Sequence, residues 1–144
     1  MKSLFAFVAL FGSVALASDV TEVKVKALDG FGGDTSSVAT RCQTKVGTAY
    51  DPSVVTRDVT ALKESGEFDE ITADAQRDAV GVAVTFYVKR KMRYAAPLVV
   101  QGNEEFSESK VADKAELKDG YLYGEADLAA AAAKVRLAYQ KKYY

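Results

Sequence analysis

The sequence has no histidine and no tryptophan, one cysteine and two prolines. Each shortage closes off a class of function. Without histidine the chain lacks the commonest general base and the commonest metal ligand. With a single thiol it cannot form an internal disulfide. Charge of one sign is also scarce: 19 Lys and Arg stand against 20 Asp and Glu, so no global field draws the chain onto nucleic acid. Beyond residue 17 no apolar run approaches the ~20 residues that a membrane-spanning helix requires. The sole cysteine, Cys42 in "SSVATRCQT", lies on an expected helix four residues after Val38 and reads as a small buried hydrophobe.

What is present is an ordinary globular composition, 49% hydrophobic and 27% charged over 144 residues. That is room for one domain, or for two small ones of about 70–75 residues. Residues 1–17 stand apart. Lys2 precedes an apolar run from Leu4 to Leu16 that closes on Ala15-Leu16-Ala17, the pattern of a cleaved secretory signal. The mature chain is therefore expected outside the cytoplasm.

From Val20 the chain alternates, Val23, Val25 and Ala27 against Glu22, Lys24 and Lys26, as a half-buried strand does. "DGFGGDTSS" breaks the pattern and offers Asp34, Thr35 and Ser36 as caps for a short helix reaching about Gln43. After the connector "KVGTAYDPS", Asp51 as N-cap and Pro52 at the first helical position open a helix to Ser65. Val55, Val59 and Leu62 form its apolar stripe, and Gly66 stands at its C-terminal cap. "EFDEITADA" predicts a strand through Phe68, Ile71 and Ala73, whose imperfect alternation marks a bulge or an edge. "QRD" turns the chain, and Val80, Val82, Val84, Phe86 and Val88 predict the third strand.

The pattern then restarts. Leu98 and Val100 stand where Val23 and Val25 did, and Val111 where Val38 did. Lys118-x-Gly120-x-x-Tyr123 repeats Lys45-x-Gly47-x-x-Tyr50, and Val135 takes the place of Leu62. The offset is 75 residues at the strand and 73 after the loop, as a longer first loop would give. The second copy reaches its second helix, with Leu128, Ala132, Val135 and Tyr139 as the expected buried stripe. Its last two strands have no counterpart in the sequence. The chain is thus divided into a signal (1–17), a complete module (18–91) and an incomplete second module (92–144).

Taken together, "VTEVKVKAL", "KVGTAYDPSVVTRDVTALKESGEFDEI" and "VAVTFYVK", followed by "LVVQGNEEFSESKV" and "LKDGYLYGEADL", resemble tandem POTRA domains of BamA-type outer-membrane protein assembly factors. The resemblance implies an α+β fold: a POTRA-like β-α-α-β-β module, a three-stranded sheet with two helices on one face, then an incomplete β-α-α copy. It implies a periplasmic module that binds polypeptide, with no enzymatic activity, no cofactor, no metal and no small-molecule substrate. Its partners would be unfolded outer-membrane protein segments, assembly lipoproteins or both. The family continues into further modules and a C-terminal membrane β-barrel, so the resemblance implies an N-terminal fragment, with a complete short protein as the alternative. It departs from the family at "KRKMRYAAP", where an acidic or Arg-Pro exit from the third strand is usual.

The resemblance places partner binding on the edge strand and the groove beside the second helix. In this sequence those positions are Phe68, Asp69, Glu70, Ile71, Thr72 and Ala73. An edge strand accepts an extended peptide through its backbone N–H and C=O groups, and the helix Ser53 to Ser65 would form the other wall. Phe68 and Ile71 also fit a plain core role. The cations Lys89, Arg90, Lys91 and Arg93 are candidates for an anionic lipid surface or an acidic partner, at about 1 kcal/mol per charge near a membrane. The plain reading of the same cluster is a solvated linker. "GFGG", Gly30 to Gly33, matches the G-x-x-G of KH domains, but behind an export signal it reads as a turn, and no nucleic-acid partner is expected. Glu64, Glu67, Asp69, Glu70, Asp74 and Asp78 lack calcium-loop spacing. Alternative readings are an arm of a two-partner secretion transporter or a division protein, which share the fold, and, from other classes, a secreted enzyme or a KH-like module.

Overall fold

The computed structural model describes residues 18–28 and 35–143. The expected signal, the "GFGG" loop and the capping candidate Asp34 lie outside them. The elements are β1 (Val20–Ala27), α1 (Ser36–Arg41), α2 (Pro52–Glu64), β2 (Phe68–Arg77), β3 (Val82–Arg90), β4 (Met92–Arg93), α3 (Glu108–Ala115), β5 (Leu122–Tyr123) and α4 (Glu125–Tyr143).

Strand β3 carries the clearest alternation in the sequence and takes the middle of a three-stranded sheet, in the order β1-β3-β2. It runs parallel to β1 and antiparallel to β2. Val82, Val84, Phe86 and Val88 point to one face and are buried, Val84 and Phe86 completely at 0% exposure. They share one core with Val38 and Cys42 from the α1 region, Val55 and Leu62 of α2, and Phe68 and Ile71 of β2. Burying each such side chain contributes about 1.5–3 kcal/mol, which is what holds the short helix α1 in place.

The helix ends explain where the chain changes direction. Asp51 accepts from the Ser53 N–H at 2.8 Å, Pro52 occupies the first turn, and Gly66 ends α2 at φ 73°. Hydrogen bonds from Ser53 hold the Asp51 carboxyl below its usual range. Thr35, by contrast, makes no side-chain cap to α1. The join between the helices is made by a residue inside α2: Asp58, 4% exposed, accepts from the N–H groups of Gln43 at 2.7 Å and Thr44 at 2.8 Å and from the Thr44 hydroxyl at 2.6 Å. Cys42 sits beside this junction, its thiol donating to the Val38 carbonyl at 3.3 Å. Burial, then the nearby Asp58 carboxylate, pushes that thiol up to about 11.

Two boundaries differ from expectation. The β2–β3 turn is Asp78–Gly81 rather than Gln76–Asp78, so β2 runs on to Arg77. The Asp78 N–H donates to the Gly81 carbonyl at 2.9 Å, while the Asp78 carboxylate accepts from Gly81 and Val80, which holds its carboxyl below the usual range. Val80 therefore lies in the turn, 83% exposed, and not in β3; a self-bonding Asp followed three residues on by Gly outweighs the alternation. Gly81 is required at its site, because a Cβ there would stand 2.5 Å from the Asp19 carbonyl oxygen.

The second unit repeats the connector bond for bond. Val20 donates to Thr48 and accepts from Gly47; Tyr94 donates to Tyr121 and accepts from Gly120. Gly47 and Gly120 both take positive φ, 83° and 79°. The expected strand at Leu98–Val100 does not form, and Val99 is 72% exposed. In the first unit that strand is held by β3, and among the described residues of the second unit no strand stands in the place of β3 to pair with it. What forms instead is the short ladder β4–β5, Met92 with Tyr123 and Arg93 with Leu122. Helices α3 and α4 bury Val111, Ala115 and Ala131. Ala131 thus replaces Ala132 in the expected stripe: Ala131 is buried between half-buried Leu128 and Val135, and Ala132 is exposed. Phe106 meets Tyr139 edge-on at 4.6 Å between centroids.

Asp58→Ala would strand two N–H groups and a hydroxyl, and is expected to lower stability by about 2–4 kcal/mol in urea unfolding. At pH 8 only ~0.1% of a thiol shifted this far is thiolate, so Cys42 should resist a thiol reagent until urea unfolds the chain. Rapid labelling of the folded protein would show the junction to be open.

Candidate functional site: the β2 edge

Because β1 takes one side of β3, β2 is left as an outer strand. Which of its groups face outward follows from the turn. Asp78 and Gly81 form a hydrogen-bonded pair, and such pairs alternate along an antiparallel ladder. With constant register from Glu70 to Arg77, the backbone groups of Gln76, Asp74 and Thr72 turn toward β3, and those of Ile71, Ala73, Ala75 and Arg77 turn away from it. Side chains sort the other way. Ile71, Ala73 and Ala75 lie on the helix side, and Thr72, Asp74 and Gln76 are exposed on the open face. Helix α2 packs alongside β2.

The residues expected at this site are not equally available. Phe68 and Ile71 are buried in the core, and the Arg90 guanidinium lies 5.2 Å over the Phe68 ring. Glu70 and Thr72 are exposed, and Ala73 is half-buried. Asp69 is engaged elsewhere. The β2–β3 register shifts between Phe68 and Glu70, leaving Asp69 as the unpaired residue of a bulge. Its carboxylate accepts the N–H of Glu125, the first residue of α4, at 3.0 Å.

The cationic cluster is likewise drawn inward. Lys89 pairs with Glu125, whose carboxylate raises the lysine's pKa. Arg90 lies 3.9 Å from Glu67, which also bonds Arg41 at 3.1 Å. Arg93 donates to the Gly120 carbonyl. Lys91 is half-buried, its backbone N–H bonded to the Glu67 carbonyl at 3.0 Å. Three of the four cations therefore join parts of the chain, a role that the sequence reading missed. The signal that could have revealed it is "YGEAD", a Gly-Glu helix start whose Gly124 N–H is capped by Asp127 at 2.9 Å.

Among the described residues there is no group of three or more His, Cys, Asp or Glu able to hold a metal, and no helix long and apolar enough to cross a membrane. An open cleft of about 570 Å³ in the second unit is lined by Tyr94, Pro97, Leu98, Ala112, Leu117 and Asp119, among others.

No protein-family model and no curated protein matches the chain. Solved structures do. POTRA1-2 of the periplasmic domain of Omp85 from Anabaena superposes with a TM-score of 0.54 at 19% identity, covering 87% of this chain and 80% of that one. POTRA1-3 of the same periplasmic domain gives 0.50 at 20% identity over 86% of this chain, which spans 51% of that longer fragment. With the β-α-α-β-β order, the three-stranded sheet and the repeated connector, the likeness identifies the fold of this chain as that of POTRA domains.

Proposed function

We propose that the chain is a periplasmic polypeptide-binding module of an outer-membrane protein assembly machinery. It acts by binding, not by catalysis. Its ligand is an extended segment of an unfolded outer-membrane protein or of an accessory lipoprotein, added to the outer side of β2. One observation carries this reading: β2 is an outer strand whose Ile71, Ala73, Ala75 and Arg77 backbone groups face away from β3, beside α2. Unpaired strand groups are a template for another strand, and main-chain hydrogen bonds supply the affinity. The fold-level likeness to the periplasmic part of Omp85 supports both the compartment and the class of partner. The charge cluster at residues 89–93 supports a lipid contact less well, since Lys89, Arg90 and Arg93 have partners within the chain.

Ile71 is unsuitable for testing edge pairing, because its side chain is 1% exposed and any change there disturbs the core. Ala73 suits it better: proline removes an outward N–H and leaves the β3 ladder bonds in place. Ala73→Pro is expected to weaken binding of a fluorescent barrel-strand peptide at least about tenfold while costing less than about 1 kcal/mol of stability. Lys24→Ala on β1 should leave binding unchanged. Equal affinity in wild type and Ala73→Pro would count against the β2 edge.

A further inference from the structure

We infer that the start of α4 is a stop that sets which stretch of β2 an added strand can use, and that Asp69 holds this stop in place. The inference rests on the edge-pairing reading above. Its basis is the bulge. A bulge residue is unpaired, bends its strand and re-aims its side chain. Asp69 is that residue, and its carboxylate lands on the N–H of Glu125 at 3.0 Å. The first turn of a helix has N–H groups without intrahelical partners and the positive end of the dipole, so a carboxylate is favoured there.

Two further contacts fix the same point. Lys89, opposite Glu70 in the register, pairs with the Glu125 side chain, so both strands of the β2–β3 hairpin hold one residue of α4. Gly124, just before it, is buried against the bulge: a Cβ there would stand 2.9 Å from the Asp69 Cγ. The helix start therefore packs directly against the Asp69 side chain.

The edge that remains is Ile71–Arg77, about seven residues or ~23 Å of strand. It is bounded at one end by the α4 start and at the other by the Asp78–Gly81 turn. The occupant this fits is one extended segment of about seven residues. Longer segments gain backbone pairing only if Asp69 releases α4. Asp69 is thus a specificity-determining residue for ligand length, acting through the position of the second unit rather than by touching the ligand.

The test titrates fluorescent barrel-strand peptides of about five to about eleven residues against the full chain, Asp69→Ala and Gly124→Ala. Wild-type affinity is expected to rise up to about seven residues and then level off. In both variants it should keep rising, to about tenfold tighter than wild type for the longest peptide. Spin labels on cysteines introduced at the exposed Gln76 and Gln140 report the unit-to-unit distance without any peptide. Its distribution should broaden in both variants. A wild-type affinity that climbs through the longest peptide, variants that level off with the wild type, or an unchanged distance distribution in Asp69→Ala would each overturn the stop. Absence of binding at every length in every protein would overturn the edge-pairing reading itself.

Discussion

A carboxylate that leaves water must recover its hydration from hydrogen bonds, and Asp58, inside the first unit, does so with three. Those bonds fix where the chain leaves α1 and at what height α2 begins. The connector that follows is thereby placed so that Gly47 and Thr48 bond the start of β1. Once β1 is held, its parallel register with β3 is set, and β2 is left with one side of β3 and, among the described residues, no strand on its other side. The outward-facing edge is thus a distant consequence of a buried anion in a helix.

The first unit was readable in the sequence because its determinants are local. Alternation in "VAVTFYVK", the Asp51-Pro52 helix start and the Gly66 stop each act within a few residues, and each appears where expected. The connector was readable because it occurs twice. The Lys-x-Gly-x-x-Tyr pattern encodes the same pair of backbone bonds at Val20 and Tyr94, with a left-handed glycine at each turn. What the sequence did not disclose depends on partners far along the chain. Leu98–Val100 has strand composition but pairs with no strand among the described residues, and composition cannot report that. The edge strand was recognised with its imperfect alternation, yet the reason for the imperfection, a bulge that turns Asp69 onto a helix fifty-odd residues later, is a tertiary fact.

The two halves of the chain are joined by opposite chemistry at one place. An acid from β2 meets a helix N-terminus, and a lysine from β3 meets the acid that begins that helix. Such surface pairs are individually weak, because water and salt screen them. Their value lies in direction, since a hydrogen bond to a helix end fixes an orientation that apolar contact leaves free. A run of cations that looks like a membrane-binding patch in one dimension becomes a hinge plate in three: Lys89, Arg90 and Arg93 reach respectively to α4, to Glu67 and to Gly120.

The parallel pairing of β1 with β3 also has a mechanical meaning. β1 enters at Val20 beside Val82, and β3 leaves toward the second unit at Arg90, beyond Val88 and its partner Ala27. Tension applied between residue 20 and residue 90 therefore pulls the two strands along their length in opposite directions. All the register pairs from Val20 and Val82 to Ala27 and Val88 bear that load at once, in shear, instead of opening one after another as in a hairpin pulled from its ends. A module tethered through these two points is built to transmit force without unravelling its sheet, while β2, which lies outside this path, stays unloaded.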